Sequence, residues 1–313
     1  MVIFETNVPL SQYTNYEIGG PAKRFAEIKN KEEFTEALKV FRAVFSKEEE
    51  KPFILGGGTN LLCSDKGYDG TVIKISILGI KETGEGIILI GAGTSMQEVV
   101  DFATDRSYSG IEWASGLPGS FGGAVRGNAG AFGGEMKDSV SSVKSIAISD
   151  SEEISRTNDG NLFGYRNSIY KQSGKEAIMC GEIRLAKGDK KKIEETAAIN
   201  KQYRKDHQPL EFPSAGSTFK NVDVKNIDPE TAKMFTSVIK TDPFPVVPVA
   251  HLISEAGLKG VRIGGAQISE KHPNFFINTG GAKAEDVVAL IELAKKAVMD
   301  KFGIVIEPEI QIV

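Results

Sequence analysis

The chain contains 313 residues, of which 40% are hydrophobic and 26% are charged, and its formal net charge is −4. This is an ordinary globular composition, which excludes a disordered or collagen-like chain. Because the balance is acidic, we expect no nucleic-acid partner. The length suggests two domains, or one large and one small. Glycine is over-represented at 34 residues, and its clustering is the most informative feature of the chain.

Cysteine and histidine are few and scattered. The two cysteines, Cys63 and Cys180, lie far apart, and so do the three histidines. Neither a disulfide framework nor a metal site is therefore predicted. The N-terminus has no basic start and no long apolar run, and no stretch reaches the roughly 18 apolar residues of a membrane span. We expect a soluble, cytoplasmic protein without a membrane anchor.

Strand and helix patterns alternate in the first half of the chain. Strands are predicted at Arg24–Ile28, Phe53–Leu55, Val72–Ile75 and Ile87–Ile90. Asn30 and Glu33 predict the start of a helix, whose apolar face contains Phe34, Ala37, Leu38, Phe41 and Phe45. Thr94 and Gln97 predict a capping box that opens a second helix.

The second half continues with strands at Val140–Ile148 and Ala177–Leu185, around a turn at Ser149–Glu153. A charged helix is predicted at Lys190–Arg204, and the composition changes after Asp206. Further elements are predicted as follows: helices at His251–Ala256 and Ala284–Lys301, the latter ended by Gly303, and strands at Phe275–Asn278, Ile304–Ile306 and Ile310–Val313. These patterns place a domain boundary near residues 188–210.

Two glycine-rich loops, Gly56–Asn60 and Gly116–Gly123, are predicted in the first domain. Neither matches a P-loop or a dinucleotide fingerprint. The second loop lies in the segment 110–134, which contains nine glycines interleaved with apolar residues, so a packed loop is favoured over a linker. Exposed backbone N–H groups without side chains suit the oxygens of a diphosphate. Tight structural turns remain the alternative.

Six segments together carry a family resemblance. They are ILGGGTNLLCSDKGYDGTVI at 54–73, ASGLPGSFGGAVRGNAGAFGGE at 114–135, FGYRNSIY at 163–170, GSTFKN at 216–221, HLISEAGLKGVRIGGAQISEKH at 251–272 and IEPEI at 306–310. In this order they resemble the UDP-N-acetylenolpyruvoylglucosamine reductase (MurB) family. Each segment alone is weakly specific, but their joint occurrence is highly specific and spans nearly the whole chain.

The resemblance implies an α+β fold with two parts. The first is a two-part FAD-binding region of the vanillyl-alcohol-oxidase/para-cresol-methylhydroxylase type, at residues 1–195, with its subdomains divided near residues 75–85. The second is a C-terminal α+β substrate domain for a UDP-sugar, at residues 196–313. The boundary near residues 188–210 agrees with this division.

The resemblance also implies noncovalent FAD and NADPH as the hydride donor. In the family, NADPH reduces the flavin, and the hydride then passes to the enolpyruvyl double bond of UDP-N-acetylglucosamine enolpyruvate, which gives UDP-N-acetylmuramate for peptidoglycan. No nucleic acid, membrane or obligate protein partner is expected. The residues expected to bind the FAD are Gly56, Gly57, Gly58, Thr59, Asn60, Leu61, Gly116, Pro118, Gly119, Ser120, Gly122, Gly123, Asn128 and Gly130.

Three residues match the catalytic positions of the family. Arg166 matches the arginine that pairs with the substrate carboxylate, and Ser217 matches the serine that donates a proton. Glu309 matches the catalytic glutamate, which would donate a hydrogen bond if protonated or orient Arg166 if ionised. The expected substrate-binding residues are Tyr165, Arg166, Lys220 and Asn221.

Departures from the family pattern are small. Thr59 stands where serine is frequent, and Val222 where proline is frequent. No inserted loop presents a tyrosine, which resembles the shorter subclass, although Tyr203 or Tyr170 could take that role. Two other functions remain open: a different FAD-dependent oxidase or dehydrogenase of the same superfamily, and a non-catalytic nucleotide-sugar binding protein.

Overall fold

The computed structural model describes residues 2–45, 51–241 and 244–313. Its strands are β1 (Glu5–Pro9), β2 (Pro21–Ile28), β3 (Phe53–Leu55), β4 (Leu61–Leu62), β5 (Tyr68–Ile75), β6 (Ile80–Gly84), β7 (Ile87–Gly91), β8 (Tyr108–Ser109), β9 (Gly130–Ala131), β10 (Gly134–Glu135), β11 (Val140–Ala147), β12 (Glu153–Thr157), β13 (Glu176–Arg184), β14 (Ala186–Lys187), β15 (Ser214–Ser217), β16 (Val222–Asp223), β17 (Val246–Val247), β18 (Arg262–Ile263), β19 (Ala266–Ile268), β20 (Phe275–Asn278) and β21 (Gln311–Ile312). Its α-helices are α1 (Lys31–Val40), α2 (Met96–Asp105), α3 (Phe121–Gly127), α4 (Met136–Ser139), α5 (Ile169–Ser173), α6 (Lys190–His207), α7 (Pro229–Lys233), α8 (Val249–Glu255) and α9 (Ala284–Phe302).

The described chain divides into two compact units. Unit 1 contains the residues up to Val8, Ala22–Gly57 and Asp69–Tyr203, and unit 2 contains Pro9–Pro21, Gly58–Tyr68 and Arg204–Val313. The last passage from unit 1 to unit 2 lies within α6. The predicted division between residues 195 and 196 cuts the chain once and stays a prediction. A single cut assigns Pro9–Pro21 and Gly58–Tyr68 to the first domain, although both segments belong to unit 2.

Unit 1 contains two main sheets. One has the strand order β1-β2-β5-β3, with β3 parallel to β5. The other is antiparallel, with the order β12-β11-β13-β7-β6. Helices α1 and α2 bury their apolar faces in the same core as β7, since apolar residues recur at helical spacing along both helices. This core includes Phe34, Leu38, Ile88, Ile90, Met96 and Val99.

Unit 2 is built on the antiparallel sheet β15-β20-β19-β18. Phe219 and Phe276 meet edge to face in its core, with ring centroids 5.9 Å apart. The long helix α9 buries Val287, Leu290, Ile291, Ala294 and Val298. Val288, on the same helix, is only partly buried against this core.

Of the three helix ends that the sequence predicted, two are correct and one is misplaced by one residue. Asn30 caps α1 by accepting a hydrogen bond of 2.9 Å from the Glu33 amide. Gly303 ends α9 in the left-handed region, at φ 67°. The capping box of α2 is formed by Ser95 and Glu98 rather than by Thr94 and Gln97. The prediction failed by one residue because the Thr94 hydroxyl is engaged by the backbone of Gly79.

Two strand predictions were incomplete. Strand β12 at Glu153–Thr157 pairs with β11, whereas only a turn was predicted between the flanking strands. Ile304–Ile306 is not a strand, although Ile304 and Ile306 are buried in the core of unit 2. The C-terminal strand is limited to Gln311–Ile312, which pairs in parallel with β4.

None of the helices in the described ranges is long and apolar enough to cross a membrane.

Candidate active site

The two predicted glycine loops meet in unit 1. A Cβ atom on Gly57 would lie 2.9 Å from the Cα atom of Gly119 and 2.9 Å from the amide nitrogen of Ser120. A Cβ atom on Gly56 would lie 3.0 Å from the Ser120 hydroxyl. The loops therefore approach each other backbone to backbone, which side chains at these positions would prevent. The two interpretations of these glycines, tight structural turns and contact with a diphosphate, both require a backbone without side chains.

The second loop is held in place by the start of α3. The Ser120 hydroxyl caps this helix by accepting a hydrogen bond from the Gly123 amide. The Gly122 amide donates to the Ala92 carbonyl at 2.8 Å, and a Cβ atom on Gly122 would lie 2.9 Å from the Ala92 Cβ atom. The Gly116 amide donates to the side chain of Gln97 at 2.8 Å. These hydrogen bonds anchor the partly exposed loop to unit 1.

A pocket of about 480 Å³ in unit 1 has both loops on its wall. Gly56, Gly57 and Ser120 line it, and its other polar residues are Glu27, Lys29, Lys74 and Ser76. The Lys74 ammonium donates to Glu27 and to Ser76, at 2.7 Å each. The first of these bonds is the main reason that the pKa of Glu27 lies below its usual range.

The residues of this pocket fit FAD. One wall is bare glycine backbone, which admits a diphosphate to close range. The other polar lining residues offer hydroxyl, carboxylate and ammonium groups that can bind the polar parts of a nucleotide. A volume of about 480 Å³ holds a part of such a cofactor rather than the whole of it.

The remainder of the first loop belongs to unit 2. Gly58 has a φ of 66°, and a Cβ atom there would lie 1.8 Å from the Tyr13 carbonyl oxygen, so only glycine fits. The Asn60 side chain donates to the Glu309 carbonyl at 3.2 Å, and the Gln311 amide donates to the Asn60 carbonyl at 3.0 Å. The loop is thereby joined to the C-terminal segment that carries Glu309.

Arg166 lies in a tight turn of unit 1. The turn runs from Gly164 to Asn167, whose backbones exchange two hydrogen bonds of 3.0 and 3.1 Å. Arg166 itself has a φ of 53°, a left-handed conformation that non-glycine residues rarely adopt. Its guanidinium donates from Nη2 to the Gly130 carbonyl at 2.8 Å and lies over the Tyr165 ring at 5.1 Å. The strain and the fixed side chain are typical of a functional residue.

A buried polar network lies next to this turn. The Asn128 side chain donates to the Gly164 carbonyl at 2.9 Å and to Glu135 Oε2 at 3.2 Å. Its Oδ1 accepts from the Lys137 amide at 3.0 Å. Asn128 has an exposed fraction of 0% and its side-chain nitrogen and oxygen are both engaged, so the contact with FAD expected at Asn128 stays a prediction for its backbone alone. Gly130 faces Glu135 in the β9–β10 hairpin.

Ser217 and Glu309 are brought together within unit 2, on neighbouring extended segments. The Glu309 amide donates to the Thr218 carbonyl at 2.8 Å, and the Lys220 amide donates to the Glu307 carbonyl at 3.0 Å. Phe219 and Pro308 form the bridge between these bonds. Two motifs that lie about ninety residues apart in the chain thus form one antiparallel pair. Ser217 is partly exposed at its edge.

Asn274 forms hydrogen bonds to the backbone of the segment that follows Ser217. Its side chain accepts a hydrogen bond from the Phe219 amide at 3.0 Å and donates one to the Phe219 carbonyl at 2.8 Å. Its own carbonyl accepts from the Thr218 amide at 2.7 Å. These three bonds fix the backbone next to Ser217. No pattern in the sequence predicted this role, because the contact spans 55 residues.

The predicted substrate-binding residues Lys220 and Asn221 continue the same segment. The Lys220 ammonium lies 3.3 Å from Glu307 in a partly exposed ion pair. The Asn221 side-chain oxygen accepts from the Val249 amide at 3.2 Å, at the start of α8. Each side chain is therefore held by one polar contact, Lys220 by Glu307 and Asn221 by the Val249 amide.

The two tyrosines considered for covering the substrate differ in accessibility. Tyr170 is 1% exposed, its hydroxyl donates to Asn161 at 2.7 Å, and burial raises its pKa to about 12. Tyr203 is 47% exposed and packs edge to face on Phe132. Of the two, Tyr203 retains the accessibility that the role needs.

Within the described ranges, no group of three or more His, Cys, Asp or Glu side chains could hold a metal ion.

Comparisons with known proteins identify the class of the chain. A family described as an FAD binding domain matches residues 22–155. The C-terminal domain of UDP-N-acetylenolpyruvoylglucosamine reductase matches residues 208–313. Together with the mixed helices and sheets, these matches define an α+β flavoprotein with a separate C-terminal domain, and they confirm the predicted fold class.

Individual relatives narrow the class to one family. The UDP-N-acetylenolpyruvoylglucosamine reductase of Caldanaerobacter subterraneus is 38% identical over 98% of this chain and 92% of its own length. That of Lachnoclostridium phytofermentans is 36% identical with the same coverage. The crystal structure of the reductase (MurB) from Thermus caldophilus superimposes with a TM-score of 0.77 at 29% identity, and covers 100% of this chain and 99% of that one. The chain belongs to the UDP-N-acetylenolpyruvoylglucosamine reductase (MurB) family, as the six segments predicted.

Proposed function

We propose that this chain reduces the enolpyruvyl double bond of UDP-N-acetylglucosamine enolpyruvate to give UDP-N-acetylmuramate for peptidoglycan synthesis. The observation that carries the proposal is similarity along nearly the whole chain to reductases with this name. The net reaction consumes one NADPH and one proton, and it converts a carbon–carbon double bond into a single bond.

The cofactor we propose is one noncovalent FAD, held by the glycine loops of unit 1. When bound, FAD supplies the transfer of a hydride from NADPH to the terminal carbon of the enolpyruvyl group. The pocket with Gly56, Gly57 and Ser120 on its wall would hold a part of the cofactor that includes phosphate. Lys29 is a further cation that lines this pocket.

Arg166 is proposed to bind the carboxylate of the enolpyruvyl group. Addition of hydride at the terminal carbon moves negative charge toward the carbon that carries this carboxylate. A planar guanidinium matches both carboxylate oxygens and stabilises this charge as it develops. The hydrogen bond to the Gly130 carbonyl, together with the turn, holds the guanidinium before substrate binds. Preorganisation of this kind lowers the reorganisation needed during the reaction.

Ser217 is proposed to donate the proton that completes the reaction. A serine hydroxyl is a very weak acid, so it donates only to a strongly basic carbon such as the one that forms here. Ser217 lies beside a backbone that Asn274 and Glu309 hold from two sides. Glu309 is proposed to assist the same step, through a hydrogen bond to the substrate or through Arg166.

Tyr165, Lys220 and Asn221 are proposed to bind the remainder of the UDP-sugar. Lys220 and Asn221 offer a cation and an amide next to Ser217, which suits phosphate and uracil groups. NADPH and UDP-sugars are metabolites of the cytoplasm, so we propose that the enzyme acts there on small molecules and needs no protein partner.

An anaerobic experiment on the two half-reactions tests this function. The purified protein should be yellow and release FAD on denaturation. NADPH should bleach its flavin absorbance, and the enolpyruvyl UDP-sugar should then restore it without oxygen. A flavin that oxygen restores rapidly and the UDP-sugar does not would indicate an oxidase instead, and a colourless preparation that binds UDP-sugars would indicate a binding protein.

A further inference from the structure

The position of the Arg166 side chain depends on two neighbouring pieces of backbone. Its guanidinium is bonded to the Gly130 carbonyl, and its own backbone belongs to the turn that Gly164 opens. Gly130 pairs with Glu135 across the β9–β10 hairpin. Whatever fixes Gly164 relative to this hairpin therefore fixes the guanidinium.

Asn128 connects Gly164 to the β9–β10 hairpin, and both its side-chain nitrogen and its side-chain oxygen take part. One Nδ2 hydrogen goes to the Gly164 carbonyl and the other to Glu135 Oε2. Oδ1 accepts from the amide of Lys137, directly after the hairpin. The amide orientation follows from these partners, because two acceptors lie on one side and a donor on the other.

Glu135 determines the direction of the Asn128 amide. Glu135 is 6% exposed, and its Oε2 also accepts from the Lys137 ammonium at 2.6 Å. A Cβ atom on Gly130 would lie 2.6 Å from the Glu135 Cγ atom, so the hairpin closes directly over this side chain. Asn128 and Glu135 are buried and tightly packed, so a change in either displaces the turn rather than being absorbed by solvent.

We propose that Asn128, oriented by Glu135, is the positioning residue that holds the Arg166 guanidinium in place for the substrate carboxylate. This proposal rests on the role of Arg166 under the proposed function. It gives Asn128 an effect on the half-reaction that uses the UDP-sugar, and none on the reduction of the flavin by NADPH. A displacement of about 1 Å of a binding group costs up to about 100-fold in rate.

A double-mutant cycle tests the proposal. Asn128 has a φ of 43°, so Asn128→Gly removes the side chain while its backbone conformation remains allowed. We expect Asn128→Gly to slow anaerobic reoxidation by the enolpyruvyl UDP-sugar about 10–100-fold, with the FAD content and the rate of bleaching by NADPH unchanged. In an Arg166→Ala background, the same substitution should slow reoxidation no further, because the group that it positions is gone.

A binding measurement gives a readout besides activity. UDP-N-acetylmuramate keeps the carboxylate of the substrate, so calorimetry should show about tenfold weaker binding in Asn128→Gly than in the parent. In the Arg166→Ala background, its affinity should not change. Asn128→Asp, which keeps the volume but turns a donor into an acceptor facing Glu135, should act like Asn128→Gly if the glycine variant folds poorly.

The control is Asn200→Ala. Asn200 is another buried asparagine of unit 1, on helix α6, whose amide donates to the Glu112 carbonyl at 3.1 Å. It should leave reoxidation unchanged even if it lowers stability. Equal losses in both half-reactions, or the same loss with and without Arg166, would overturn the positioning role alone. Normal reoxidation in Arg166→Ala would overturn the proposed role of Arg166 and the positioning role with it.

Discussion

The left-handed backbone of Arg166 predicts an unusual order of stability among its variants. Alanine is normally preferred over glycine, because glycine loses more conformational freedom on folding, by about 0.5–1 kcal/mol. At a φ of 53°, alanine keeps the backbone strain of about 1–2 kcal/mol that glycine relieves. Both variants lose the same hydrogen bond to Gly130. The difference leaves Arg166→Gly more stable than Arg166→Ala by about 0.5–1 kcal/mol.

Thermal and urea unfolding measure this difference. For a unit of this size, 1 kcal/mol corresponds to about 2–4 °C in Tm, so the glycine variant should melt roughly 1–4 °C higher than the alanine variant. Both should lose reoxidation by the UDP-sugar to the same extent, because both lack the guanidinium. The order should reverse at Asn200, within helix α6, where alanine is favoured over glycine by about 1 kcal/mol.

Either of two results would refute this reasoning. If Arg166→Ala were at least as stable as Arg166→Gly, the turn would not hold residue 166 in the left-handed region. If the glycine variant retained normal reoxidation, the guanidinium would not act on the substrate.

Three further predictions concern other parts of the structure. Ser217→Ala should leave bleaching by NADPH near normal and slow reoxidation by the UDP-sugar about 10²–10⁴-fold, the usual contribution of a positioned general acid; a normal reoxidation rate in stopped flow would transfer the role to Glu309. Gly57→Val should lower the FAD content of the purified protein, because even its Cβ atom would overlap the second loop, whereas Gly127→Ala, which has open space around the added carbon, should retain full flavin. Burial lowers the pKa of His272 to about 4, so the unfolded chain binds the proton more readily between about pH 6.5 and pH 4. The free energy of unfolding should therefore fall by roughly 3 kcal/mol as the pH is lowered through this window. Urea unfolding at several pH values should show this slope in the parent and a flatter one in His272→Gln.

The family and the broad fold could be predicted because their signals are local in the sequence. The glycine loops, the FGYRNSIY segment and the long apolar face of α9 are contiguous patterns that need no knowledge of tertiary contacts. Gly303 was predicted as the end of α9 for the same reason, since a glycine after a periodic helix is a local signal.

The errors have physical causes that a single sequence does not display. The capping box of α2 shifted to Ser95 because a tertiary contact with Gly79 engages Thr94. Strand β12 was missed because its residues are mostly polar and exposed, and pairing with β11 stabilises it. Short apolar segments such as Ile304–Ile306 match the strand pattern. Ile304 and Ile306 are buried in the core of unit 2, but the segment does not pair with another strand.

The supporting residues of the site were the least predictable. Asn274 contacts Phe219 across 55 residues, and Asn128 contacts Gly164 across 36. Both act through side-chain hydrogen bonds to backbone, which leave no periodic pattern. The left-handed conformation of Arg166 opposes the preference of its residue type, so only the turn and its hydrogen bonds reveal it.

The identity of the product tests the central claim most directly. The protein is mixed anaerobically with equimolar NADPH and UDP-N-acetylglucosamine enolpyruvate, and the UDP-sugar is analysed by mass spectrometry and NMR. The account predicts a product that is heavier than the substrate by two hydrogen atoms and carries a lactyl ether in place of the enolpyruvyl group, in an amount equal to the NADPH consumed. Recovery of unchanged UDP-sugar from protein whose FAD has been bleached by NADPH would contradict it.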